Sequence, residues 1–144
     1  MRIPPPQLGL VVRYSFVWSQ EFAAGQEEGR KDRPCAIVLA ARSVDGETRV
    51  YVLPVTHTPP TDPGVAMEIP PRIKSQLRLD GARSWIVLDE INDFVWPGYD
   101  LRQVPGSEPA QAHYGLLAPR FFDRVREQFL VLAEDRRVKR VPRI

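Results

Sequence analysis

The fold is decided by residues 33–56, which read RPCAIVLAARSVDGETRVYVLPVT. Residues 34–41 are almost continuously apolar, and a short apolar run that opens with proline favours a buried strand over a helix. Asp45-Gly46 follows, a pair typical of tight hairpin turns. Residues 48–56 then read as the returning strand. The stretch therefore predicts a buried antiparallel hairpin at the centre of a sheet.

Short apolar segments on both sides of this hairpin predict more strands. Residues 8–18 are rich in Val, Tyr, Phe and Trp and form the first, with Val12, Tyr14 and Phe16 on one face. Fifteen prolines punctuate the chain and mark strand ends, because proline has no N–H to give to a ladder. The other predicted elements are a charged loop over 19–32, a short strand over 65–69, one or two helical turns over 72–79, a third core strand over 84–91, a bend and short strand over 90–101, and a polar loop over 104–112.

The apolar spacing changes to three and four residues after residue 118, which predicts an amphipathic helix over about 119–135. Pro119 suits the first turn of this helix. Its predicted apolar residues are Phe122, Val125, Phe129, Leu132 and Ala133. We therefore expect a mainly β protein with α elements: a small, strongly bent antiparallel sheet or partial barrel, covered on an open face by the C-terminal helix.

Length and composition indicate one globular domain over 1–144, with a core over about 8–135 and a basic tail over 136–144. The single cysteine, Cys35, excludes a disulfide within the chain and is expected to be a buried, inert thiol. No apolar run approaches the roughly 20 residues that span a bilayer, and the proline-rich start has no secretory apolar region. We expect a cytoplasmic protein without membrane contact.

Several enzyme classes lack their sequence signatures. The chain has no glycine-rich phosphate loop, no paired-cysteine zinc spacing and no Gly-x-Ser-x-Gly nucleophile turn. His57 and His113 have no neighbouring metal ligand in sequence. We therefore predict a site with no metal and no cofactor.

The hairpin itself brings two polar residues together. Arg33 begins one strand and Thr56 ends the other, so antiparallel pairing puts them at the same edge of the sheet. This pair suits RNA cleavage in which the 2′-hydroxyl attacks its own phosphate, because a guanidinium can hold two phosphoryl oxygens and a hydroxyl can donate to a third. Glu28 and His57 are the local candidates for proton transfer, which is typically worth about 10²–10⁴-fold.

Four further residues are predicted to contact RNA. Trp18 stands where the first strand gives way to the charged loop and offers a stacking surface for a base. Arg30 and Lys31 in that loop suit the phosphate backbone, and Thr58 follows in the turn after Thr56. Loop residues of these types are also commonly just solvated, and the basic tail is either a second nucleic-acid contact or a frayed terminus.

These motifs resemble the MazF/PemK (Kid) family of toxins. The similarity lies in a glycine-bearing acidic loop with Glu28, the strand that Arg33-Pro34 opens, the segment LPVT at 53–56, and SWIVLDEI at 84–91. It covers about residues 8–101. The chain departs from the family at Ala40-Ala41, where serine is common, at His57, where small polar residues are common, and in extra length at the start, over 96–113 and in the tail.

The resemblance implies a small SH3-like barrel and a homodimeric type II toxin. Such a toxin is a metal-independent endoribonuclease that cuts single-stranded RNA, often mRNA, to 2′,3′-cyclic phosphate ends and so inhibits translation and growth. An antitoxin neutralises it by occupying the RNA groove, and the pair binds DNA. Arg33 and Thr56 are then the catalytic arginine and threonine, and Glu28 the loop glutamate. Two alternatives stay open: a CcdB-like toxin that binds gyrase without catalysis, and a catalytically silent nucleic-acid-binding module that uses the tail.

Overall fold

The computed structural model describes residues 1–27, 29 and 31–144, and it is mainly β with helices, as predicted. The described strands are β1 (Leu10–Tyr14), β2 (Arg33–Arg42), β3 (Thr48–Thr56), β4 (Ala66–Glu68), β5 (Trp85–Val87), β6 (Glu90–Val95), β7 (His113–Leu116) and β8 (Lys139–Pro142). The described helices are α1 (Ser19–Ala23), α2 (Pro71–Gln76) and α3 (Pro119–Glu134), with a 3-10 turn at Pro63–Val65. No helix within the described ranges has both the length and the apolarity to cross a bilayer.

The central hairpin is confirmed. Strands β2 and β3 are antiparallel, with Arg42 opposite Thr48 and Cys35 opposite Pro54, and a bulge shifts the register beside Ile37. Strand β1 lies antiparallel on the other side of β2. The apolar run of β2 is therefore flanked on both sides, as its composition predicts.

The sheet curls but does not close. Its strand path runs β4-β5-β3-β2-β1-β7, with β6 on the first half of β3 and β8 parallel to β6. Among the described residues no ladder joins the two ends of that path, so the closed small barrel is not confirmed. Instead, the side chain of Asn92 in β6 bonds to the backbone of Val17, three residues after the end of β1. It accepts from Val17 N at 2.9 Å and donates to Val17 O at 2.7 Å.

Two apolar clusters fill the two faces of the sheet. Inside the curl, Tyr14 stacks on Phe94 with ring centroids 4.5 Å apart. Val12, Tyr14 and Phe16 share this cluster, as the alternation of β1 predicts, and Cys35 lies buried in it. Burial raises the pKa of the Cys35 thiol well above its usual range, which fits the predicted inert role. The other cluster lies between the sheet and helices α2 and α3.

The C-terminal helix is confirmed with a slightly different buried face. Helix α3 buries Phe121, Val125, Phe129 and Leu132. Phe121 takes the core position that we predicted for Phe122, which is only half-buried, and Ala133 is exposed. Two neighbouring phenylalanines fit the same spacing almost equally well, so sequence alone does not choose between them.

Three predictions of local structure were wrong. The segment over 90–101 was predicted as a bend followed by a short strand, but strand β6 comes first and the bend follows it. The strand predicted over 84–91 is two strands, β5 and β6, which pair with β3 in different registers. Pro54 lies between these two pairings, and because it has no N–H the ladder is interrupted there. The charged loop over 19–32 begins with a short helix, α1, in which Glu21 accepts from Trp18 N at 3.0 Å.

The basic tail is not a frayed terminus. Residues Lys139–Pro142 form β8, and Val141 is buried. Arg140 donates to both carboxylate oxygens of the fully buried Asp93, at 2.7 and 2.9 Å. The basic composition of the tail therefore serves folding contacts as well as surface charge.

Candidate functional site

Arg33 and Thr56 are neighbours in the structure. The β2–β3 register pairs Cys35 with Pro54, and extending it by two residues puts Arg33 opposite Thr56. Thr56 also pairs with Trp85 on its other side. The predicted shared edge of the hairpin is therefore found, whereas the catalytic roles of the two side chains stay predictions.

The Arg33 guanidinium is half-buried and incompletely hydrogen-bonded. Its Nη1 donates to Val55 O at 3.1 Å, and its plane lies over Trp18, with Cζ 5.0 Å from the ring centroid. Its Nε is buried and has no hydrogen-bond partner among the described residues. Burial lowers the pKa of Arg33, although an arginine stays charged in proteins. A desolvated cation with an unused N–H is stabilised by an anionic ligand.

Among the residues that the structure describes, the Thr56 hydroxyl accepts a hydrogen bond but is not seen to donate one. Its Oγ1 accepts a hydrogen bond from Thr58 N at 3.2 Å. This contact occupies a lone pair and fixes the side chain, while the O–H can still donate to another acceptor. Thr56 can therefore offer a donor beside Arg33.

Both residues line a cleft of about 420 Å³. Among the described residues its walls carry four cations, Arg13, Lys31, Arg33 and Arg78, and two carboxylates, Asp32 and Asp80. Arg13 donates from Nη1 to the Tyr114 hydroxyl at 3.1 Å, so β1 and β7 close one side. The excess of positive charge favours an anionic ligand.

His57 lines the same cleft and is paired with Asp80. Its Nε2 lies 2.9 Å from Asp80 Oδ2. Asp80 Oδ1 accepts from Lys74 Nζ at 3.0 Å and from Ala82 N at 3.1 Å. Burial of Asp80 opposes its ionisation, but the Lys74 hydrogen bond and the charges of His57 and Lys74 outweigh it, so the pKa of Asp80 lies below its usual range.

A second hollow adjoins the first on the far side of Arg33. Trp18, Lys31 and Arg33 line it together with Gln20 and Gln26. Arg33 and Lys31 therefore stand between the two hollows, since both line each of them. Five of the predicted residues therefore line the two adjoining hollows: Trp18, Lys31, Arg33, Thr56 and His57.

The remaining predicted site residues are not found among the described residues that line the cleft. Glu28 and Arg30 lie outside the described residues. Thr58 is exposed and supports Thr56 through its backbone N–H, but it does not line the cleft. Within the described ranges, no group of three or more His, Cys, Asp or Glu side chains is placed to hold a metal ion.

Sequence reasoning missed Arg13, Arg78, Asp80 and Tyr114. Arg13 had a usable signal, because it is the one charged residue within the apolar strand β1. Asp80 precedes Gly81, a turn signal, but nothing in the sequence connects that turn to His57. Arg78 has a positive φ of 55°, a conformation that its residue type does not announce.

No protein-family model matches the chain, and a search of curated proteins found no significant match. The resemblance to the MazF/PemK toxins therefore rests on the residues and motifs themselves.

Proposed function

We propose that the protein is a metal-independent endoribonuclease of the MazF/PemK type, acting in the cytoplasm as the toxin of a type II toxin–antitoxin pair. The observation that carries this proposal is the Arg33–Thr56 pair. Within the described part of the chain, a half-buried guanidinium whose Nε has no hydrogen-bond partner stands opposite a threonine hydroxyl that is not seen to donate, in a cleft with excess positive charge.

The pair suits the transition state of RNA transesterification. As the 2′-oxygen attacks phosphorus, negative charge grows on the non-bridging oxygens. The Nε–H of Arg33 and the O–H of Thr56 are donors fixed in advance where that charge develops, and one such donor is commonly worth about 10²–10³-fold in rate. His57 accepts the 2′-hydroxyl proton; Glu28 is the other candidate for this step.

The wider cleft suits a polyanion. Lys31 and Arg13 can hold phosphates on either side of the scissile one, and Trp18 can contact a base in the second hollow. Binding that uses several such cations weakens as salt rises. A ligand with phosphates at regular spacing uses these groups better than a single small anion.

The partners in this proposal are single-stranded RNA, an antitoxin protein and a second copy of the chain. The curled sheet is in this view an open variant of the small SH3-like barrel. The antitoxin occupies the cationic cleft, where carboxylates of a protein segment would replace the RNA phosphates. Toxin and antitoxin together then bind DNA.

Thr56→Val tests the proposal with little risk to the fold, because valine keeps the shape and strand preference of threonine. Thr48→Val is the matched control at the other end of β3. We expect Thr56→Val to slow RNA cleavage about 10²-fold, and Thr48→Val to cut like the wild type. Equal cleavage by both variants would reject the role of Thr56. Inhibition of gyrase supercoiling by a protein that never cuts RNA would favour the CcdB-like alternative.

The binding-module alternative depends on a free basic tail. Arg143 of that tail is buried against Asp100, and the half-exposed Arg140 pairs with the buried Asp93. These two arginines hold the tail to the sheet, so it is not a free basic arm, and the cleft is the better candidate for the nucleic-acid contact.

A further inference from the structure

We propose that Asp80, held in place by the buried Lys74, positions His57 so that Nδ1 is the ring nitrogen that takes the 2′-hydroxyl proton. This inference rests on the proposed ribonuclease function and adds two positioning residues to it. It follows from the chain of contacts Lys74–Asp80–His57, which begins at Lys74, a buried residue of α2, and ends at the half-exposed His57 in the cleft.

Lys74 is an unusual anchor because it is a charged residue with only 5% of its surface exposed. Its ammonium donates to Asp80 Oδ1 at 3.0 Å, to Ser84 Oγ at 2.8 Å and to the Ala82 carbonyl. An ammonium has three N–H donors, so each has an acceptor. All three acceptors belong to the turn between α2 and β5. The lysine therefore fixes the shape of that turn.

This turn also holds Asp80 beside His57. The Asp80 carboxylate is further fixed by Ala82 N, and its pKa lies below the usual range, so it is ionised at neutral pH. An ionised carboxylate only accepts hydrogen bonds, and therefore the facing Nε2 of His57 must carry the hydrogen. Neutral imidazole then has its lone pair on Nδ1. The contact thus selects one tautomer, in which Nδ1 is the basic nitrogen.

Other charged groups lie around His57. Asp80 is its direct partner, with Lys74 behind it. The other charged side chains of the cleft are Arg13, Lys31, Asp32, Arg33 and Arg78. Among these groups, Asp80 is the one in direct contact with the imidazole.

The proton steps balance without a metal or redox partner. The 2′-O–H bond breaks as Nδ1–H forms, and the 2′-oxygen bonds to phosphorus while the bond from phosphorus to the 5′-oxygen breaks. Solvent water protonates the departing 5′-oxygen, and the imidazolium returns its proton to solvent. The product is a 2′,3′-cyclic phosphate. Asp80 keeps its charge throughout and stabilises the imidazolium.

Asp80→Asn tests the relay, and Asp62→Asn is its matched control. Asp62 is a similarly exposed aspartate in a similar setting. It accepts a hydrogen bond from the backbone N–H two residues later, Gly64 N at 2.8 Å, and it pairs with a cation, Arg137, at 3.0 Å. We expect Asp80→Asn to lower kcat for RNA cleavage about tenfold or more with little change in KM, and to move the acidic limb of the pH–rate profile to lower pH. Asp62→Asn should change neither, and Asp80→Glu should restore part of the rate.

Lys74→Met is the second variant. If it folds, by circular dichroism, it should lower kcat in the same direction, because the turn loses its anchor. If it fails to fold, Asp80→Asn alone decides. A wild-type pH profile in Asp80→Asn, or an equal loss in Asp62→Asn, would overturn the proposal.

A measurement without RNA separates this inference from the proposed function. The imidazole of His57 is followed by NMR through a pH titration, in a His113→Gln background so that one histidine remains. The midpoint should lie at lower pH in Asp80→Asn than in the parent, and an unchanged midpoint overturns the Asp80–His57 coupling. A shifted midpoint in a protein that does not cut RNA would establish the coupling and reject the ribonuclease.

Discussion

Arg33 and Trp18 form a cation–π pair, with the guanidinium carbon 5.0 Å from the ring centroid. Trp18 is itself packed edge-on against the buried Phe16, with ring centroids 5.2 Å apart. The proposed catalytic cation therefore rests on an aromatic support that begins in the core. This support restrains the guanidinium without using the N–H donors that a phosphate needs.

We expect Trp18→Ala to slow RNA cleavage by roughly 3- to 30-fold, because a cation–π pair is worth about 0.5–2 kcal/mol and the freed Arg33 loses its fixed position. Trp18→Phe keeps a ring beneath the guanidinium and should retain most of the activity. Cleavage rates on one short RNA check both variants. Full activity in Trp18→Ala would show that the ring does not support Arg33.

The C-terminal segment should contribute strongly to stability through Arg143. Its side chain is 5% exposed and donates to Asp100 Oδ2 at 2.6 Å, to Asn92 Oδ1 at 2.8 Å and to Ser15 O at 2.7 Å. Breaking a buried pair commonly costs about 3–5 kcal/mol, so we expect a loss of this size in the free energy of unfolding of Arg143→Met.

Arg137→Met is the control for this measurement. Arg137 pairs with Asp62 at 3.0 Å, but both side chains are half exposed, and such surface pairs are worth about 0–1 kcal/mol. Denaturant unfolding of the two variants should differ clearly. Equal stabilities would mean that Arg143 does not hold the tail to the sheet.

Asp89 gives the protein a pH-dependent term in stability. Burial raises its pKa above the usual value. The folded state then holds this proton to higher pH than the unfolded chain does, so stability falls as pH rises from about 4 through the raised pKa. Asp89→Asn removes this pH-dependent contribution to the free energy of unfolding. It should unfold at higher temperature than the wild type at pH 7 and at the same temperature near pH 3; the opposite order at pH 7 would contradict the assignment.

The part of the site that local pattern could predict is the hairpin edge. An apolar run, an Asp-Gly turn and a returning strand determine the register, and the register puts Arg33 beside Thr56. Helix α3 was predictable for the same reason, since its apolar spacing is a local property.

The parts that could not be predicted depend on contacts between distant segments. The contacts of Lys74 with Asp80 and of Asp80 with His57 depend on how the turn after α2 packs, and a buried lysine looks like any other in sequence. In the sequence, Arg143 is one of several charged residues in the basic tail, yet in the structure it donates hydrogen bonds to three separate segments. Pro54 has no N–H, so an interruption of the ladder beside it could be expected. That β6 pairs with β3 before this point and β5 after it is seen only in the structure.

The most direct test is digestion of a mixed-sequence single-stranded RNA in EDTA by the wild type, Arg33→Ala and Arg83→Ala. Arg83 is the matched control, because its guanidinium also lies 5.0 Å from a tryptophan centroid, that of Trp85, but it pairs with Glu68 at the surface. We predict that the wild type and Arg83→Ala cut the RNA to 2′,3′-cyclic phosphate ends and that Arg33→Ala is slower by about 10²-fold or more. Wild-type cutting by Arg33→Ala, or no cutting by folded wild type free of antitoxin, would contradict the proposed function.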